Sequence, residues 1–377
     1  MKYYVIAGEA SGDLHAGNLI RNLKLSDESA SFRGFGGDKM AEAGAQITVH
    51  YKQMAFMGAF EVLANIRKIG HNFAICKKDI LDFQPDAVIL VDYAGFNLRM
   101  AKFVKQQNIK TIFYISPKVW AWNKSRIKKI KAYIDQLYLI LPFEKEFYKK
   151  YGYTQTEYIG NPLTDAIDIF KREKRLTREE FTKTEKLDTR PIVALLAGSR
   201  KQEIIRLLPE MLKNVEHFPE YQFVIAGAPS ISKELYTSII GQSKASIVYD
   251  KTYQLLEHAH AAVVASGTAT LETALFRVPQ VVIYKFNTLS FIIFKPFIWV
   301  KYFSLVNIIM DMPVVKEYLQ FGLARKIKAE LDNILHKKVY YDKMLDNYDE
   351  LISQIGSPGS SKRAAEHIVN YIKSPLA

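Results

Sequence analysis

Residues 87–97 read Ala87-Val88-Ile89-Leu90-Val91-Asp92-Tyr93-Ala94-Gly95-Phe96-Asn97. A short, unbroken apolar run ends in an acid, a glycine and a return to helical spacing. Such a run has no polar face, so it fits a strand buried on both sides, as in a parallel sheet covered by helices. The same signature recurs on either side of it. Tyr3–Ala7, Ala87–Asp92, Thr111–Ile115 and Gln136–Leu141 read as strands, and Gly17–Lys24, Ile66–Phe83 and Arg126–Tyr133 as intervening helices. Strand–helix alternation predicts parallel β-structure with crossover helices.

The pattern pauses over Thr164–Thr189, where Lys171, Arg172, Glu173, Lys174 and Arg175 follow in succession, and this stretch reads as a helix plus linker. It resumes with expected strands at Ile192–Leu196, Gln222–Ala226, Ser246–Val248, Ala261–Ala265 and Gln280–Tyr284, and Ser360–Lys373 reads as a closing helix. The fold class is therefore α/β, with two Rossmann-like domains: 1–165, 190–355, and a terminal helix in 356–377. Ligands of doubly wound sheets bind at the carboxyl ends of strands, so a cleft bordered by both sets of strand ends is expected.

Composition narrows the partners. The 377 residues carry 52 basic and 39 acidic side chains, a net charge of +13, with 22 Tyr and 22 Phe. A basic, aromatic-rich chain meets nucleic acid, an anionic lipid surface or phosphorylated substrates. Cys76 is the single cysteine, so an intramolecular disulfide is excluded and a reducing compartment fits. The N-terminal run is too short for a signal peptide. The longest apolar candidate, Phe291–Ile309, is broken by Lys295, Pro296 and Lys301, so no membrane-spanning helix is expected. His15, His71, His258 and His260 show no metal-ligand spacing, and neither metal nor cofactor is expected.

Four loops after strands can carry chemistry. The first runs from Gly8 through Glu9, Ser11, Gly12 and Asp13 to His15; it lacks the dinucleotide spacing, and an ordinary strand-to-helix turn fits it as well. In the second, Asp92 fits a general base and a turn cap equally. In the third, Gly198, Ser199 and Arg200 offer helix N–H groups and a guanidinium, a set suited to a diphosphate; a surface arginine is the alternative. In the fourth, Ser266, Gly267 and Thr268 open a helix, and Glu272 one turn later can accept from vicinal ribose hydroxyls or simply complement the helix dipole.

Read together, the loops resemble one family, the lipid-A-disaccharide synthases. The resemblance spans nearly the whole chain. It rests on residues 7–13 (AGEASGD), 116–122 (SPKVWAW), 141–148 (LPFEKEFY), 198–200 (GSR), 265–272 (ASGTATLE) and 302–307 (YFSLVN), in the family's order. It implies a GT-B architecture without metal. The implied reaction transfers 2,3-diacylglucosamine from its UDP donor to the 6-hydroxyl of 2,3-diacylglucosamine 1-phosphate, with inversion. By the same resemblance Asp92 is the catalytic base and Arg200 the diphosphate-holding catalytic arginine. Gly198, Ser199, Ser266, Gly267, Thr268, Glu272 and Asn307 line the UDP site, and Glu9, Ser11 and Asp13 form the acceptor-side loop.

The chain departs from the family where Gly95 replaces a second acid, Ala197 and Val306 replace prolines, and Met310-Asp311-Met312-Pro313 replaces an Ala-Gly-Arg-Glu run. Acylated substrates imply work at the inner face of the cytoplasmic membrane, by a cytoplasmic, peripheral protein. Phe56, Met57, Phe60 and Leu63, followed by Arg67 and Lys68, suit an interfacial helix, although a core-facing helix has the same composition. A homodimer is left open. Epimerases and peptidoglycan transferases share the phosphate-binding half but not the 116–122 and 141–148 runs. Nucleic acid is not an expected partner, since the basic residues are dispersed and no binding signature occurs.

Overall fold

The computed structural model describes residues 1–54, 66–122, 124–285 and 301–374. The chain divides into two compact units, Met1–Asp165 with Ser357–Ala377, and Ala166–Gly356.

The first unit contains β1 (Lys2–Ala7), β2 (Ser31–Gly36), β3 (Gln46–His50), β4 (Ala87–Val91), β5 (Lys110–Tyr114), β6 (Gln136–Leu139) and β7 (Thr156–Tyr158). They form one sheet in the order β3-β2-β1-β4-β5-β6-β7, all pairs parallel. The central strands β1, β4 and β5 are buried on both faces, as their unbroken apolar runs require. Strands β2, β3 and β7 escape a hydropathy reading, because Arg33, Gly34 and Gly36 interrupt β2 and the outer strands alternate with polar residues.

The second unit contains β8 (Ile192–Leu196), β9 (Gln222–Gly227), β10 (Ser246–Tyr249), β11 (Ala259–Ala265), β12 (Gln280–Tyr284) and β13 (Lys316–Leu319), again parallel, in the order β10-β9-β8-β11-β12-β13. The polar edge strand β13 carries no apolar run and is not legible by periodicity.

The stretch expected as helix plus linker forms two helices, Pro162–Glu173 and Arg178–Thr184. The second opens with a capping box in which Thr177 and Glu180 satisfy each other's backbone N–H. The helix Ser360–Lys373 packs on the helix Ala10–Ser26, and its buried Ala364, Ala365, Ile368 and Val369 join the core under β1 and β4. Expected as a separate closing segment, it is thus part of the first unit. Side chains of that unit cap both its ends. Asp165 accepts from the N–H groups of Gly359, Ser360 and Ser361 at 2.5, 3.1 and 3.0 Å, and Lys110 donates to the carbonyls of Tyr371, Ile372 and Ser374 at 3.1, 2.9 and 3.1 Å. A carboxylate at the N-terminus and an ammonium at the C-terminus both complement the helix dipole.

Candidate functional site

In the first unit the site grows from the carboxyl ends of β1, β4 and β5. Parallel register sets Ala7 beside Val91 and Val91 beside Tyr114, so the loops that follow emerge together. The strand expected to reach Asp92 stops at Val91. Asp92 and Tyr93 both take left-handed backbone, with φ of +46° and +44°. Two consecutive non-glycine residues in that region cost about 1–2 kcal/mol each and persist only where the surroundings hold them.

Several bonds do so here. The Asp92 N–H donates to the Tyr114 carbonyl at 3.3 Å. The fully buried Asn97 amide donates to the carbonyls of Asp92, Val91 and Ile6 at 2.8, 3.2 and 3.4 Å, tying β4 to β1 at their ends. The Tyr93 hydroxyl donates to the Met54 carbonyl at 3.0 Å. Gly8 is required by this packing: a Cβ there would stand 2.3 Å from the Tyr93 ring.

Glu9, Asp92, Tyr93, Ala94, Gly95, Pro117, Lys118 and Arg126 line a cavity of about 330 Å³. Burial raises the Asp92 carboxyl above the ordinary aspartate range, while Lys118 and the Tyr93 N–H pull it back.

The first loop turns into helix sooner than expected, at Ala10, so Ser11 and Asp13 lie in its first turn. Ser11 is exposed. Asp13 is buried, and its carboxylate accepts from the N–H groups of Gly37, Lys39 and Met40 at 2.7, 3.0 and 3.1 Å. It holds the turn after β2, whereas Glu9 borders the cavity.

The 116–122 and 141–148 runs meet in the same unit. Glu144, 1% exposed, accepts from the Trp120 indole N–H at 3.2 Å and from the N–H groups of Ile140 and Leu141 at 3.2 and 3.0 Å. Ser116 and Tyr148 share a hydroxyl hydrogen bond of 2.8 Å. Burial pushes the Glu144 carboxyl up to about 7 against these bonds.

In the second unit, β8 and β11 are neighbours, so their loops share one edge. Gly198 has φ +103°, a value that favours glycine, and a Cβ there would meet the Glu203 carboxylate at 2.4 Å. Ser199 is exposed. The Arg200 guanidinium, 59% exposed, pairs with Glu203 at 3.3 Å at the start of the helix Lys201–Leu212. Gly267 and Thr268 are exposed where the helix Thr268–Leu275 begins, and the Ser266 hydroxyl donates to the Phe303 carbonyl at 2.8 Å. Glu272 accepts from the Tyr253 hydroxyl at 2.9 Å; burial raises its carboxyl and that bond opposes the rise.

Asn307 is 1% exposed and engaged internally. Its amide donates to the Val315 carbonyl and to Glu317, both at 2.8 Å, and its side-chain oxygen accepts from the Val315 N–H at 2.9 Å. Glu317 also accepts from the N–H groups of Phe303 and Ser304, both at 2.8 Å. This network fixes the Phe303 carbonyl that Ser266 uses. Asn307 thereby braces from behind the loop that contains Ser266.

Sequence reasoning missed Asn97, Lys118, Tyr253 and Glu317. Lys118 stands inside the 116–122 run that marks the family, a signal for importance though not for role. Phe56, Met57, Phe60 and Leu63 lie outside the described residues. Among the described residues, no group of three or more His, Cys, Asp or Glu is arranged to hold a metal ion, and no helix is long and apolar enough to cross a membrane.

The fold is shared with GT-B enzymes. A UDP-GlcNAc 2-epimerase from Neisseria meningitidis, solved with UDP-GlcNAc, superposes with a TM-score of 0.71 at 13% identity, covering 98% of this chain and 100% of that one. The calicheamicin glycosyltransferase CalG4 superposes with a TM-score of 0.58 at 13% identity, over 99% and 98%. Sequence relatives are nearer. Lipid-A-disaccharide synthases from Geobacter metallireducens and Coxiella burnetii are 36% and 35% identical, each covering 98% of this chain and 96% and 98% of their own length. The family profile described as lipid-A-disaccharide synthetase matches residues 3–368. The chain belongs to the lipid-A-disaccharide synthase family.

Proposed function

We propose that this enzyme transfers 2,3-diacylglucosamine from its UDP donor to the 6-hydroxyl of 2,3-diacylglucosamine 1-phosphate, releasing UDP and the β-1′,6-linked disaccharide. The observation that carries the chemical assignment is the Asp92 carboxylate. It is desolvated, held in left-handed backbone and set in the wall of a cavity at three strand ends. A base must lose the proton it gains at working pH, and a carboxyl raised by burial is a stronger base than an ordinary aspartate.

The acceptor oxygen forms a bond to the anomeric carbon as the bond from that carbon to the UDP oxygen breaks, and Asp92 takes the hydroxyl proton. One displacement inverts the α-linked donor. Negative charge then grows on the diphosphate. Arg200 and the exposed helix start at Gly267–Thr268 supply the cation and N–H donors that stabilise it. Glu272 is the ribose-binding acid, its orientation set by Tyr253. Asn307 supports this reading through the loop it braces.

The acyl chains call for work at the inner face of the cytoplasmic membrane. Phe56, Met57, Phe60 and Leu63 would meet lipid there; changing Phe56, Met57 and Phe60 to Ser should abolish vesicle binding. The decisive test supplies purified protein with detergent-dispersed donor and acceptor. Free UDP and disaccharide are expected in equal amounts, and the absence of both rejects the function.

A further inference from the structure

The cavity beside Asp92 is segregated by charge. Strand order β1-β4-β5 puts Asp92 in the middle, with Glu9 entering after β1 and Pro117-Lys118 entering after β5. Arg126 completes the wall, and it opens the helix Arg126–Tyr133, which carries Lys128, Lys129 and Lys131 and no acidic residue.

Lys118 is not a loose surface lysine at its base. It is exposed between buried Pro117 and Val119, in a tight turn closed by the Val119 N–H donating to the Pro117 carbonyl at 2.6 Å. Trp120, next along, is fixed by buried Glu144, and Ser116 before it is fixed by Tyr148. The 116–122 and 141–148 runs therefore clamp both flanks of one exposed cation. Base catalysis by Asp92 does not require so elaborate a mounting for a lysine.

We infer that Lys118 and Arg126 form a phosphate-monoester pocket on the β5 side of the Asp92 cavity, which holds the anomeric phosphate of the acceptor while Asp92 faces its 6-hydroxyl. The inference rests on the proposed transfer reaction and adds to it the residues that orient the acceptor. The acidic side of the same cavity, at Glu9, repels a phosphate, so only one of the two orientations is favourable. A misoriented acceptor would present a different atom to the base.

Two measurements test this. In steady-state transfer, Lys118→Ala and Arg126→Ala should each raise the acceptor KM roughly 10- to 100-fold, the loss of a charge-assisted contact. The donor KM should hold, and Lys118→Arg should recover most of the affinity. On acceptor lacking the phosphate, the loss in each variant should be at least tenfold smaller than on the phosphorylated acceptor. Equal losses on phosphorylated and unphosphorylated acceptor would overturn the pocket, because Lys118 would then act through Asp92 alone.

The second measurement is calorimetric titration of the full-length enzyme with water-soluble glucosamine 1-phosphate and with glucosamine. Binding should be selective for the phosphate and lost in the Lys118→Ala/Arg126→Ala double variant. Unselective binding by an enzyme that still makes disaccharide removes the pocket and leaves the reaction standing. Selective binding without any transfer keeps the pocket and rejects the reaction.

Discussion

The loops that follow β4 and β8 both leave the carboxyl end of a central strand in a parallel sheet, yet they are built oppositely. After β4 the chain is strained: Asp92 and Tyr93 are both left-handed, braced by Asn97, and the carboxylate is desolvated. After β8 the one positive φ falls on a glycine, and Arg200 stands largely in solvent. On the proposed mechanism, the group that transfers a proton is tuned beforehand by its surroundings, whereas the group that meets a diphosphate stays open, because the ligand would bring the charge that completes the site. The contrast sets backbone strain beside a desolvated acid in the first unit against a solvent-exposed cation in the second.

The sharpest way to break this contrast is Asp92→Asn. It should lower turnover about 1,000-fold with donor binding intact, read by UDP release and by donor titration. Comparable turnover would remove Asp92 as the base. Arg200→Ala should lower kcat/KM about 100-fold and weaken UDP binding as well; a loss confined to acceptor KM would contradict its place at the diphosphate.

Removing Asp13 probes architecture alone. Asp13→Ala leaves three backbone N–H groups without their acceptor and should cost about 2 kcal/mol, seen as a lower melting temperature with unchanged UDP affinity.

The pH dependence sharpens the comparison further. Asp92 acts as base only when ionised, so acceptor kcat/KM should rise with pH through a limb above the ordinary aspartate value of about 4. Lys118 favours the ionised form, so Lys118→Ala should move that limb to higher pH. The smallest effect belongs to Gly95→Asp. A Cβ there has nothing within 4 Å, so the stability change should stay within about 0.5 kcal/mol. The added negative charge should nudge the same limb upward.

The placement of the candidate residues at strand ends was legible because turns after buried strands leave local marks. Asp92, Arg200 and Glu272 each follow an apolar run, and the register of β1 with β4 and of β8 with β11 gathers the loops as that pattern implies. What stayed hidden was the difference between a side chain that faces a cavity and one that faces the backbone behind it. Asp13 and Asn307 carry the same marks as their neighbours, yet each is engaged internally, one by the turn after β2 and the other by Val315 and Glu317. Tyr253 and Glu317 gave no warning, since their partners lie 19 and 10 residues away along the chain.

The sequence alone determined the two parallel-sheet units, the run of strand-end loops and the family, because hydrophobic period, turn residues and short motifs are local properties of a chain. The tertiary structure decided which acid is desolvated, which asparagine is a brace, how the 116–122 and 141–148 runs mount Lys118, and that the last helix completes the first core. Those are facts of burial and of partners distant in sequence, and a side chain acquires them only when packing removes water from one face and supplies donors to the other.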